Sequence, residues 1–326
     1  MSDVTECVDQ ALPLTLLLGS PNTWELSVSD TRGIIRAVVT LTDLGRRPGD
    51  WPVGVTTEQV VDLLLGCLAL ARARQDTDLA EELGTCLACL EAPATPSTPA
   101  PVRVPADVLA AASHWLSEHG AGDLRTLAWS ARARIAAGCP ASARVLLADA
   151  AISPGYGALV GHATRDIAVT VATLAARLGV HDETLEAVLA DAPAPAAPPV
   201  GLRPLATDLS DRDRGRLLAA DLVSRGSQPT LSGADQEVAG NELVAGALTA
   251  AETYDLAWFA VAVRGMVRLP HLPRRLVRDA VTFLATQQHR SGAMGAPITE
   301  DPRERRDQHR EWTLMATAAL VEAAGA

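Results

Sequence analysis

Residues 252–267 read ETYDLAWFAVAVRGMV, and this stretch decides the fold. An acidic residue and a threonine open it, and apolar side chains then continue for about three helical turns. Residues 30–45, DTRGIIRAVVTLTDLG, can be laid over it, because they share the acid-Thr-x start and the apolar helix. Basic residues and a proline follow both copies, at 46–48 and at 268–270. The internal match predicts a body built from repeated helices.

The same helical spacing of apolar residues extends through most of the chain, with breaks that carry Gly, Pro or Asp. Only 3% of the residues are aromatic, and Ala and Leu, which are strong helix formers, supply much of the apolar content. We therefore predict an all-α protein. The predicted helices lie near 30–44, 56–74, 77–91, 105–118, 123–137, 141–150, 158–178, 182–190, 211–225, 234–249, 252–268, 272–289 and 310–324.

Several of these helices have recognisable start signals. Polar residues that commonly cap helices precede or open five of them. The predicted caps are Ser29-Asp30, Thr56-Thr57-Glu58, Asp123, Ser210-Asp211 and Ser232.

Two stretches rich in Pro and Ala, near 92–105 and 192–204, interrupt the helices. Proline removes a backbone donor and disfavours both helix and sheet, so these stretches are predicted to be loops. We interpret residues 1–326 as one domain that carries two such loops. A linker between separate helical domains is the alternative.

The charge distribution limits the classes of partner. The net charge of −11 argues against nonspecific binding to nucleic acid or to an anionic membrane. Residues 261–310, however, hold ten Arg against five acidic residues. This basic tract could be the outer face of two helices and a loop. It could also be a groove for an acidic partner, such as a diphosphate, a carrier-bound intermediate or an acidic leader peptide.

The sequence also favours a cytoplasmic protein. The apolar stretch 11–18 is too short to cross a bilayer and follows acidic residues instead of a basic leader. Five cysteines, an odd number in a long chain, indicate reduced thiols. We therefore expect no membrane insertion.

One C-terminal segment resembles a known repeat. Residues 280–295, AVTFLATQQHRSGAMG, resemble the repeat of terpenoid-cyclase and protein-prenyltransferase (α/α) toroids, in which Phe-Leu-x-x-Gln-x ends a helix and Gly-x-x-Gly forms the next turn. The glutamine can bond the free backbone of the helix end, and the glycines allow left-handed conformations. The resemblance implies a toroid of about 12–13 paired helices in one body, with the first turns of the inner helices around a shared mouth.

A second resemblance suggests a role in specialised metabolism. The stretches 24–30 and 42–48 are similar to a motif of an uncharacterised actinobacterial family with members near natural-product genes, and residues 309–313 look like its closing helix. This sequence departs from that family by placing Arg32 and Arg36 where Tyr and His are typical, and Trp258 where a second His is expected. If the histidine is catalytic in relatives, this chain has altered chemistry or none.

Several large classes of site are absent from the sequence. The chain lacks an Asp-x-Asp-Asp cluster, Gly-x-Ser-x-Gly, a P-loop and the Rossmann glycine pattern. Asp208, Asp211 and Asp213 alternate with arginines and indicate a solvated helix start. Cys86 and Cys89 lie one turn apart and Cys67 precedes them, but no second ligand pair accompanies them. We interpret these thiols as small buried side chains instead of zinc ligands, and we predict no cofactor.

The remaining polar residues form the candidate site. They lie at the starts of apolar helices, where helix N-termini also favour anions. The candidate acid–base residues are Asp30, Asp43, Glu252, Tyr254, Asp255 and His309. The candidate substrate-binding residues are Arg32, Arg36, Trp258 and Trp312.

Two hypotheses follow. The first is a natural-product tailoring enzyme that guides a cyclisation or an acid–base step on an apolar or peptidic substrate, carrier-bound or anionic, with a homodimer left open. The second is a non-catalytic binding or scaffold protein that keeps the toroid but has lost the family histidines. The second predicts a pocket without convergent ionisable groups.

Overall fold

The computed structural model describes residues 22–43, 45, 50–51, 54–90, 102–120, 122–192, 211–224, 231–297 and 299–325. Within these ranges the protein is all-α, as predicted. A short 3-10 turn, Thr23–Glu25, precedes fourteen α-helices. The helices are α1 Val28–Asp43, α2 Thr57–Ala73, α3 Thr77–Cys89, α4 Ala106–His119, α5 Leu124–Ala136, α6 Pro140–Ala151, α7 Tyr156–His162, α8 Arg165–Arg177, α9 Glu183–Ala190, α10 Asp211–Ser224, α11 Gly233–Glu252, α12 Leu256–Val267, α13 Arg274–Thr286 and α14 Pro302–Ala323.

Side-chain caps fix many of the helix starts. Thr56 and Gln59 form a capping box at the start of α2, and Asp123 and Ser232 accept amide hydrogen bonds at the starts of α5 and α11. These three predicted caps are confirmed. The cap at 29–30 is wrong by one turn, because α1 begins at Val28. The remaining cap, at 210–211, lies outside the side chains that the structure describes.

Three predicted helix boundaries differ from the structure. The predicted helix 158–178 is two helices, because Ala163 and Thr164 adopt extended backbone between α7 and α8. The predicted start at Glu252 is the end of α11, and Asp255 caps α12 instead. The last helix begins at Pro302, well before 310, because Asp301 caps a polar first stretch that apolar spacing does not mark.

Helix α12 lies at the centre of the largest core. It packs against α10, α11, α13 and α14, and Trp258 and Phe259 are fully buried on it. The Trp258 ring fits because Gly215 and Gly246 lack a Cβ, which would lie 3.1 Å and 2.6 Å from the ring carbons. Helix α12 therefore fills the middle of the largest core. These contacts do not confirm the toroid arrangement, which stays a prediction.

Two smaller cores flank this centre. Helices α1, α2 and α3 bury one apolar cluster around Leu63 and Leu83, and α5 to α9 bury another around Leu124 and Val171. Helix α2 also packs against α11 and α13, and α5 packs against α14. Both flanking cores are thus attached to the central one. The single-domain interpretation stays a prediction. Most of the two Pro/Ala-rich stretches, 92–105 and 192–204, falls outside the described residues.

None of the described helices combines the length and the apolar character that a bilayer-crossing helix needs.

Candidate functional site

The four candidate residues of the first copy belong to the surface of α1. Asp30 accepts hydrogen bonds from the Ser27 hydroxyl at 2.6 Å and the Ser27 amide at 3.1 Å, which lower the pKa of its carboxyl. Arg32 pairs with Glu82 of α3 at 3.0 Å, and this contact raises the pKa of the guanidinium. Arg36 and Asp43 are exposed. Asp30 therefore stabilises the first turn of α1 by bonding Ser27, the residue before the helix, and Arg32 is one half of a surface ion pair.

The candidates of the second copy lie at the junction of α11 and α12. Glu252 is exposed at the end of α11, and Tyr254 has a left-handed backbone with φ of 52°. Asp255 caps α12 by accepting from the Trp258 amide, and its carboxylate lies 3.2 Å from a guanidinium nitrogen of Arg216. These residues stabilise the turn between the two helices.

Tyr254 and Trp312 meet at the turn after α13. The Tyr254 hydroxyl lies 3.2 Å from Gln287 Oε1, to which it donates, and accepts from the Ala296 amide at 3.2 Å. Its ring packs edge-on against Trp312, with centroids 5.7 Å apart. The Gln287 side chain therefore forms hydrogen bonds near the end of α13. It accepts from the Tyr254 hydroxyl and donates to the Phe283 carbonyl of its own helix. These contacts hold the turn closed against α14.

His309 lies beside this turn in a cluster of rings. Its ring centroid is 6.2 Å from that of Trp115 and 6.1 Å from that of His289, and Trp115 stacks on His119 at 4.8 Å. Burial lowers the pKa of His309, and the nearby His289 and Arg305 lower it further, while the Met294 backbone opposes them. Sequence reasoning selected His309 but missed His119 at the end of α4 and His289 in the turn after α13, which only tertiary packing brings near α14.

The described structure contains no cluster of three or more His, Cys, Asp or Glu side chains placed to hold a metal ion. Cys67 and Cys86 are buried, as predicted, but the prediction is wrong for Cys89, which is exposed near the end of α3. Burial raises the pKa of Cys67 to about 11 and that of Cys86 to about 12. These two thiols are therefore neutral side chains of the α1–α3 core.

The two copies of candidate residues do not converge in the described part of the chain. Helix α1 packs mainly on α3, whereas the second copy surrounds the ends of α11 and α12. The shared mouth that the toroid resemblance implied is not formed by these side chains.

The basic tract 261–310 is partly internal. Arg264 and Arg268 bind the two carboxylate oxygens of Glu322 at 2.7 Å and 3.0 Å, and all three side chains are nearly buried. Arg275 forms a buried pair with Asp279 at 3.4 Å. At least these three arginines stabilise the fold instead of lining an open groove.

A cavity of about 340 Å³ lies between the end of α4, α5, α6 and α7. Its apolar lining comes mainly from leucines of these four helices. The lining leucines are Leu116, Leu124, Leu127, Leu146 and Leu159. The cavity is large enough for a small organic molecule, and its mostly apolar lining is typical of ligand pockets.

Two of the residues that line this cavity, Ser130 and Tyr156, have hydroxyl groups that could bind a ligand. Ser130 and Tyr156 are 1% and 4% exposed, and neither hydroxyl has a hydrogen-bond partner among the described residues. Burial, helped by the charge of Asp182, raises the pKa of Tyr156 to about 12, so the phenol stays protonated and able to donate. Two exposed carboxylates, Asp123 and Asp149, are the only charged groups in the lining that the structure describes.

Sequence reasoning missed this cavity. Ser130 and Tyr156 belong to no motif, and they lie on helices α5 and α7, which only tertiary packing brings together. A weak signal existed, because a serine on the apolar face of α5 and the sole tyrosine of the α7 region interrupt otherwise apolar positions.

Residues 3–120 match the model of a family described as a domain of unknown function, DUF6895. The match covers about a third of the chain, from the N-terminal segment to the end of α4. No curated protein and no solved structure matches the chain significantly. The chain is thus similar to this family over its first four helices, and the cavity lies almost entirely beyond the matched residues.

Proposed function

We propose that the protein binds a small, mostly apolar molecule in the cavity between α4, α5, α6 and α7 and holds it without acting on it chemically. The observation that carries the proposal is the pair of buried, unpartnered hydroxyls of Ser130 and Tyr156. Leaving such a group unsatisfied costs about 1–3 kcal/mol, so a ligand that carries a complementary oxygen would gain affinity there.

The chemistry of the lining supports binding over catalysis. Apart from the exposed Asp123 and Asp149, the described lining holds no acid or base that is charged near neutral pH, since burial raises the pKa of Tyr156 to about 12. Asp123 already caps α5. Such a lining favours the second hypothesis, which predicts a pocket without convergent ionisable groups. The tailoring-enzyme hypothesis stays a prediction, and three of its candidate residues have structural roles, Arg32 in an ion pair, Asp255 as a cap and Tyr254 in a turn.

We also propose that the protein acts in the cytoplasm. The four described cysteines are all free thiols, which is the usual state in a reducing compartment.

The proposal can be tested with 1-naphthol and naphthalene as a matched pair of probes. The wild-type protein should bind 1-naphthol about tenfold more tightly than naphthalene in calorimetry, because only 1-naphthol can pair with the buried hydroxyls. The double variant Ser130→Ala/Tyr156→Phe should bind both probes equally. Tyr254→Phe removes the other tyrosine hydroxyl of the chain, outside the cavity, and should leave the preference intact.

Equal affinity of the wild-type protein for the two probes, or a preference that survives in the double variant, would contradict the proposal. Mass spectrometry of the recovered 1-naphthol separates binding from catalysis. An unchanged probe is expected, and conversion to a product that depends on the cavity would favour an enzyme.

A further inference from the structure

The charged groups that line the cavity between α4, α5, α6 and α7 are all acidic. Asp123 and Asp149 belong to its described lining, and both side chains are exposed. No arginine or histidine belongs to that described lining, and the chain contains no lysine. A charged ligand that fits the cavity should therefore be a cation.

The carboxylate of Asp149 has no structural role among the described residues. The backbone carbonyl of Asp149 accepts from the Ser153 hydroxyl, but no hydrogen bond or ion pair to a described residue involves its carboxylate. Asp149 lies in the last turn of α6, which contains no basic residue. The partial negative charge of a helix C-terminus makes an acid there unfavourable, and a bound cation would offset both charges.

The carboxylate of Asp123 is only partly used by the fold. Its Oδ1 accepts from the Thr126 amide at 2.7 Å, which caps α5. Its negative charge raises the pKa of Arg125, although burial lowers that pKa more strongly. The Arg125 guanidinium lies 3.2 Å from the sulfur of Met315 on α14 and does not line the cavity. Asp123 can therefore cap α5 and still contact a cation.

Another arginine contacts the lining from outside it. Arg134 donates to the hydroxyls of Ser113 and Ser117 at 3.0 Å and to the Ser142 hydroxyl at 3.1 Å. Ser117 belongs to the lining, whereas Arg134 does not. Three serines thus hold this guanidinium, and it forms no ion pair with either aspartate.

The buried hydroxyls separate this cavity from an ordinary pair of solvated acids. Ser130 and Tyr156 are almost fully buried in the lining, and neither hydroxyl has a hydrogen-bond partner among the described residues. Burial raises the pKa of Tyr156, and the charge of Asp182 raises it further. Unsatisfied polar atoms, an apolar surface and exposed carboxylates therefore belong to one cavity, and a third acid lies close enough to act on it.

We propose that the molecule held in this cavity is a protonated organic amine with an apolar body. Asp123 and Asp149 bind the ammonium group, and the leucines of the lining contact the apolar body. The inference rests on the proposed function, because it names the class of ligand that the same cavity takes.

Calorimetry with 2-(1-naphthyl)ethylamine and 2-(1-naphthyl)ethanol tests the assignment, because the two probes share a body and only the amine is charged at pH 7. The wild-type protein should bind the amine about five- to tenfold more tightly at about 50 mM salt, since exposed ion pairs are weak. Raising the salt to about 500 mM should weaken binding of the amine and leave binding of the alcohol unchanged.

Isosteric variants locate the charge. Asp123→Asn and Asp149→Asn should each weaken amine binding about two- to threefold, and the double variant should bind the two probes equally. Asparagine can replace aspartate as the cap of α5, so the fold should be retained, which circular dichroism would confirm. Asp107→Asn is the matched control. It removes an exposed acid in the first turn of α4, at the other end of that helix from the cavity, and should leave the preference intact.

The assignment is overturned if the wild-type protein binds the amine no more tightly than the alcohol, or if neither probe binds. A preference that persists in the double asparagine variant, or that disappears in Asp107→Asn, also overturns it.

The two pairs of probes fail separately. If 1-naphthol is preferred to naphthalene while the amine and the alcohol bind equally, only the amine assignment falls. If naphthalene and 1-naphthol bind equally while the amine is preferred through Asp123 and Asp149, the pairing with the buried hydroxyls falls and the amine assignment stands.

Discussion

The backbone amide of Thr23 donates a 2.9 Å hydrogen bond to Oδ2 of Asp279, across a sequence separation of 256 residues. The Thr23 hydroxyl donates to the same oxygen, and Arg275 Nε lies 3.4 Å from it. The side-chain amide of Asn22 donates to the Asp279 carbonyl. One buried carboxylate thus joins the first described turn to α13.

Replacing this carboxylate should destabilise the whole protein. Asp279→Ala removes the buried carboxylate that pairs with Arg275 and that accepts from both Thr23 donors. The expected loss is about 3–5 kcal/mol in the free energy of unfolding, measured by urea denaturation. Glu81→Ala, which removes an exposed acid of α3, should change stability by less than about 0.5 kcal/mol. Similar stability losses in the two variants would argue against the anchoring role.

Glu322 should make stability depend on pH. Burial raises the pKa of its carboxyl, but the hydrogen bonds and charges of Arg264 and Arg268 outweigh burial, so the pKa is lowered from its ordinary value of 4.5. A lowered pKa means that its stabilising contribution is complete above the unfolded value and is lost as pH falls through the folded value. Glu322→Gln should therefore be destabilised relative to wild type at pH 7, and this difference should shrink below about pH 4. A difference that stays constant with pH would contradict this assignment.

The cysteines should differ in reactivity. Cys89 and Cys139 are exposed, whereas Cys67 and Cys86 are buried with raised pKa values. Iodoacetamide at pH 8 should label the exposed pair in the folded protein and the buried pair only after denaturation, as read by peptide mass spectrometry. Rapid labelling of Cys67 in the folded protein would mean that the α1–α3 core opens readily.

The turn after α13 should be intolerant of a side chain at Gly295. A Cβ there would lie 2.5 Å from Trp312, and φ is +74°. Gly295→Ala should cost about 2–4 kcal/mol, from steric overlap added to backbone strain. Gly138→Ala is the matched control, because Gly138 has φ of +78° but open space around it, so only about 1 kcal/mol of strain is expected. Equal losses in thermal unfolding would show that overlap with Trp312 is not the cause.

The helices were largely predictable because their signals are local. Thr56, Asp123 and Ser232 bond backbone amides within one turn, so neighbouring residues contain the whole cap. The start of α12 was misplaced because Glu252 and Asp255 are both acidic and three residues apart. Only the structure reveals that Asp255 accepts the Trp258 amide.

The site was less predictable because its determinants are not local. An acid or arginine in the first turn of a helix has the same sequence pattern whether it caps the helix, forms an ion pair or binds a ligand. Asp30 proved to bond Ser27 within the first turn of α1, and Arg32 proved to form an ion pair with Glu82. Ser130 and Tyr156 line one cavity because α5 and α7 contribute to the same apolar cluster, and no spacing in the sequence encodes that arrangement.

The attachment of the first four helices to the remainder of the chain limits how the protein can be divided. Helix α2 contacts α11 and α13, and α4 contacts α5 and α14. A fragment that ends at residue 120, where the match to the DUF6895 model ends, would expose to water the apolar faces of α2 and α4 that contact the later helices. Recombinant production of that piece alone should therefore give insoluble or self-associating material.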